Sequence, residues 1–154
     1  MHRCLLIFFF IGTVCEAALL PESQREDLSR AVLKNFWGNA KLSNGDFVQP
    51  SSESERNTPP VSNSVATRAL DAGEISGLGE WCKLDWKSHY FSMTKAARSK
   101  GMVDKQIAFV SFLHGAAQER MFSTMAKTSS CDEQYRGKVQ RMLDQSTVRG
   151  FAGM

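Results

Sequence analysis

The sequence predicts an all-α protein: a small three-helix bundle closed by one disulfide, preceded by a short amphipathic helix and a disordered linker. Three observations lead there. Apolar residues between positions 81 and 146 recur at helical spacing, and no stretch alternates as a strand would. Glycines and capping residues stand where three helices would stop and start. Cys82 and Cys131 fall at two points that an up-down-up bundle brings to the same end.

Residues 1–17 read as a cleavable signal peptide. His2 and Arg3 give a basic start, Leu5 to Gly12 is an uninterrupted apolar run, and Cys15-Glu16-Ala17 places small residues where a signal peptidase reads. Glu16 breaks the run well short of the roughly 18 apolar residues that a membrane span needs. Bulky Val14 argues against lipidation of Cys15. The expected location is therefore periplasmic or secreted. Only Cys82 and Cys131 survive cleavage, and an even count in an oxidising compartment favours a disulfide over a metal site or a reactive thiol. No metal and no cofactor is expected, because zinc wants four clustered ligands, or three plus water.

Residues 18–38 predict a short amphipathic helix. Ser23 and Glu26 have capping-box spacing, Leu28, Val32 and Phe36 share a face with Ala31 beside them, and Gly38 offers a left-handed stop. Such a stripe docks on its own domain, or lies in a membrane surface with Arg25, Arg30 and Lys34 outward. Docking is the favoured expectation, since an isolated helix of this length is barely stable. Residues 39–80 read as a flexible linker: Pro50, the Ser51–Glu55 run and Pro59-Pro60 have no apolar period, and in the stretch 67–80 Leu70, Ile75 and Leu78 are interrupted by Gly73, Gly77 and Gly79, which leaves a turn of helix or a segment lying along the domain surface.

Residues 81–146 form the expected disulfide-closed domain. Asp85 caps a first helix carrying Trp86, Tyr90, Met93 and Ala97, and Gly101 ends it. A second helix, from about Asp104 to Lys127, carries Ile107, Val110, His114, Ala117 and Met121 on one stripe, widened by Phe109, Leu113, Ala116 and Met125. A third begins at Ser130-Cys131-Asp132-Glu133 and buries Tyr135, Val139 and Met142. The second is too long for its neighbours, so extended residues 82–85 or a break near Gly115 would have to absorb the difference. Residues 147–154 read as a tail.

Charge divides the chain. Residues 18–80 hold 6 Lys/Arg against 9 Asp/Glu, and residues 81–154 hold 12 against 6. A basic exported domain suits an anionic envelope component, lipid or glycan, or another secreted protein, and allows contact with a membrane surface. Nucleic acid is not an expected partner.

Chemistry-bearing motifs are few: no phosphate loop, nucleophile elbow or metalloprotease signature is present. His114 interrupts an apolar stripe, with Gln118 one turn on, and Gly115, Ala116 and Ala117 leave room for a close approach. It is either a general base oriented by Gln118, Glu119 or Asp85, or a histidine bonded within the bundle. Trp81 and Trp86 flank Cys82 and form either a stacking patch or core. Lys95, Arg98, Lys100 and Lys105 cluster between the first two bundle helices, as an anion site or as charges that offset the helix dipole.

With its signal peptide, a cysteine before the first core helix and another opening a later one, the chain resembles small exported helical proteins of the bacterial periplasm. That class includes acid-stress chaperones. Cys82-x-Leu84-Asp85-Trp86 with Leu113-His114-Gly115 and Gln118 is similar to exported bacterial proteins of uncharacterised activity. The leading expectation is a non-enzymatic envelope-binding protein. The alternatives are a small hydrolase-like or glycan-active enzyme using His114, an inhibitor or immunity-type protein, and a periplasmic chaperone.

Overall fold

The computed structural model describes residues 19–148, so the expected signal peptide, with Cys4 and Cys15, and the last six residues lie outside the described part. The described residues form six helices: α1 (Glu22–Phe36), α2 (Glu53–Arg56), α3 (Asn63–Trp81), α4 (Trp86–Ser99), α5 (Asp104–Thr128) and α6 (Glu133–Val148). Among them there is no strand, only an isolated antiparallel bridge between Lys41 and Phe47. No described helix is long and apolar enough to cross a membrane.

The all-α class and the disulfide hold, but the three-helix bundle does not. The region expected to be a linker contains α3, which packs along α5 as the spine of the molecule. Ser62 caps it, accepting from the Val65 amide at 3.3 Å. Eleven of its residues are buried, including Gly73, Gly77 and Gly79. A Cβ built on Gly73 would lie 2.3 Å from the His114 carbonyl oxygen, and one on Gly77 2.5 Å from that of Gln118. Gly73 and Gly77 do not break the helix here. They let two helix backbones touch.

This pairing also resolves the length of α5. At 1.5 Å per residue its 25 residues span about 37 Å, and α3 covers about 28 Å of that. The helix is continuous through Gly115. Around the spine, α1 docks on α5 and buries Val32 and Phe36, the latter edge-on to Phe109 at 5.1 Å. Ala40 and Val48, also within the expected linker, are buried in the same core. That segment folds back because Gly38, at φ +78°, donates its amide to Val48 and Val48 returns its own to Ala40.

Two caps differ from expectation. α1 begins at Glu22 behind Pro21, whose carbonyl accepts from Gln24 and Arg25, so Ser23 is not the cap. At α6 the cap is Asp132, accepting from the Tyr135 amide at 2.8 Å, rather than Ser130. Gly101, at φ +79°, follows α4 as expected.

Cys82 and Cys131 are bonded, with Cα atoms 5.3 Å apart across 49 positions. The bond ties the C-terminal end of α3 to the approach to α6. Reduction, or replacement of both cysteines by serine, is expected to cost about 2–4 kcal/mol in urea denaturation. Amides of α6 should gain hydrogen exchange first, because that helix packs chiefly on α3 and α4.

Candidate functional site

His114 is buried, 1% exposed, at the α3–α5 contact. Its Nε2 lies 2.9 Å from Ser76 Oγ, and Ser76 Oγ lies 2.9 Å from His89 Nδ1. His89 Nε2 continues to Ser146 Oγ at 2.9 Å. A hydroxyl has one proton, so Ser76 donates to one ring and accepts from the other. The result is a polar chain through α3, α4, α5 and α6, with the Tyr90 ring 4.9 Å from that of His114. Burial pushes His114 down to about 3, with a further contribution from His89, and pushes His89 down to about 4. Both rings are neutral at ordinary pH.

The residues expected to orient His114 have other partners. Gln118 Nε2 donates to Glu80 at 2.8 Å, Glu119 accepts from Ser123, and Asp85 caps α4 by accepting from Ser88. Hydrogen bonds from Ser88 hold the Asp85 carboxyl below its usual range. The tryptophans are half-buried rather than a continuous patch: Trp81 meets Tyr135 edge-on at 5.9 Å, and the Trp86 Cβ faces Gly79.

A second buried polar group was not singled out from the sequence. Glu74, in α3, accepts the Leu19 and Leu20 amides at 2.8 and 3.2 Å and lies 3.1 Å from Arg25 Nε. Arg25 also donates to Asp71 at 2.5 Å, so it faces inward from α1 rather than toward solvent. Desolvation raises the Glu74 pKa against the opposing pull of Arg25 and the two amides.

The basic cluster divides. Lys105 pairs with Glu55 at 2.7 Å and lies over the Trp37 ring. Lys95 and Arg98, on the last turns of α4, and Lys100, which caps it, stay exposed with no ion pair among the described residues. Arg98 joins Lys41, from the loop after α1, at the rim of a cavity of about 290 Å³ whose walls include Tyr90, Phe91, Ser111 and Phe112. Ser43 and Asp104, bonded to each other, close one side and leave one carboxylate against two cations. Phe91 is 63% and Phe47 52% exposed, and Lys41 sits over the Phe47 ring at 5.2 Å. Sequence periodicity marked neither phenylalanine, and Lys41 fell in the expected linker.

Ser76, His89 and His114 do not line this cavity. What it presents to a ligand is positive charge, hydroxyl groups and aromatic walls. No cluster of His, Cys, Asp or Glu suited to a metal ion occurs among the described residues. Comparison with family models, curated proteins and solved structures finds no match to this chain.

Proposed function

We propose that this is an exported, non-enzymatic binding protein whose basic face contacts an anionic component of the cell envelope. The observation that carries the reading is that face itself. Lys41, Lys95, Arg98 and Lys100 are exposed and without ion pairs among the described residues; Lys41 lies over the Phe47 ring and Arg98 lines the same cavity as Phe91, two large apolar rings more than half exposed. Unpaired cations beside exposed aromatics fit an interfacial contact better than a merely solvated surface. The disulfide supports an oxidising destination.

The test is binding of the purified protein to phosphatidylglycerol vesicles and to an acidic polysaccharide, with phosphatidylcholine vesicles as the neutral control. Binding to at least one anionic surface should weaken steeply as salt rises. Lys95→Glu/Arg98→Glu/Lys100→Glu should weaken it at least a hundredfold, since each cation near an anionic surface contributes about 1 kcal/mol. Binding indifferent to salt and to the triple reversal would sink the proposal.

A further inference from the structure

A second depression adjoins the basic cavity. Ser111 and Phe112 line the first cavity and also a groove of about 400 Å³ between α1 and α5. Leu28, Ala31 and Val32 form one wall of the groove, and Gly115 and Ala116 form the other. The two spaces thus share a wall while differing in chemistry. One has Lys41 and Arg98 at its rim; the other is almost wholly apolar and open to solvent along its length.

We infer that the joined cavities form one binding site for a single-chain anionic amphiphile, with its phosphate or carboxylate head between Lys41 and Arg98 and its acyl chain in the α1–α5 groove. The inference rests on the proposed anionic-binding function and names its ligand class. Three features support it. The head site carries two cations against one carboxylate, and that carboxylate is engaged by Ser43. Ser111 Oγ accepts from the Tyr90 hydroxyl at 3.0 Å, which leaves its own proton to donate to a head-group oxygen. Gly115 is exposed on α5 and lines the shallow groove, where an added Cβ would meet nothing within 4 Å. Gly73 and Gly77 are required by helix contact, and Gly115 is not. A glycine in the middle of a helix, with no internal packing reason, leaves space that an outside chain can fill. The Phe112 ring between the two spaces is steadied edge-on by Phe36 at 5.7 Å. It offers a wall against which the first methylenes would turn.

The experiment is calorimetric titration with dodecyl phosphate below its micellar concentration, beside dodecanol and inorganic phosphate. Lauroyl lysophosphatidylglycerol serves as the lipid form. Both amphiphiles should bind at least tenfold more tightly than either dodecanol or phosphate alone. Gly115→Leu should fold normally and weaken amphiphile binding at least tenfold while leaving the weak phosphate affinity unchanged. Ala31→Leu fills the same groove from the exposed side of α1 and should act alike. Lys41→Glu/Arg98→Glu should remove the advantage of dodecyl phosphate over dodecanol. Equal affinity for phosphate and dodecyl phosphate, or no effect of both groove-filling variants, overturns the inference. Vesicle or polysaccharide binding that persists without amphiphile binding overturns it too, while sparing the broader proposal. Loss of every anionic ligand overturns both.

Discussion

Between pH 6 and pH 4 the protein is expected to lose about 5 kcal/mol of stability from His89 and His114 together. Each folded-state pKa lies below the ordinary value of 6.5, at about 4 for His89 and about 3 for His114. The unfolded chain therefore takes up protons from pH 6.5 downward while the native state resists. Their stabilisation is intact above pH 6.5 and is lost as pH falls toward 4 and then 3. Within that window each ring contributes a slope of about 1.4 kcal/mol per pH unit. Around His114, the bonded Ser76 and the stacked Tyr90 are hydroxyl-bearing and, among the described residues, present no carboxylate to hold an imidazolium. Glu74 works in the opposite direction. Its pKa is raised, so near its own titration the native state binds a proton more readily and recovers part of the loss. Urea denaturation at half-unit pH steps measures the net slope. His114→Phe should reduce it by about one proton, and an unchanged slope would show that His114 does not titrate on unfolding. A loss of this size equals the whole stability of many small domains.

Gly73→Leu is expected to cost about 4 kcal/mol or more, and Gly73→Ala to destabilise despite its better helix propensity. The built Cβ lies 2.3 Å from a backbone oxygen and 2.8 Å from the Ala117 Cβ. Neither neighbour is the movable end of a side chain, so relief requires α3 and α5 to separate along their length. That separation would loosen the Ser76–His114 bond in the same interface. Gly115→Ala is the control: the same change in a helix of the same protein, facing open space, should stabilise by up to about 1 kcal/mol. Opposite signs in urea denaturation are the expected result. Similar signs for the two alanine variants would contradict the backbone contact.

The last three helices could be read from the chain to within a few residues because each keeps a one-sided apolar stripe between recognisable stops. The disulfide came from counting cysteines. α3 was hidden for a physical reason. It is enclosed by other elements, so its apolar residues form no stripe, and its interior includes Glu74 and Ser76, which resemble surface residues until their partners are known. Those partners, Arg25, His89 and His114, are distant in sequence. Ala69, Gly73 and Gly77 do recur at i, i+4, i+8, a contact face that can be mistaken for a series of breakers. His114 stood out as polar on an apolar stripe, but its neighbour across the interface lay in the segment expected to be unstructured. The basic cluster was half legible: charge density revealed Lys95, Arg98 and Lys100, whereas the recruitment of Lys105 by Glu55 depends on the four-residue helix α2, too short to carry a periodic signal.

The spine helix is rich in glycine and poor in self-sufficiency, and the partner that steadies it is synthesised later. While a ribosome is still producing the chain, residues 63–81 have a weak tendency to coil and nothing to lean on. Their stability arrives only with the stretch ending near Thr128, and the sulfur link only once Cys131 has emerged. Such a polypeptide stays pliable through most of its manufacture and sets late.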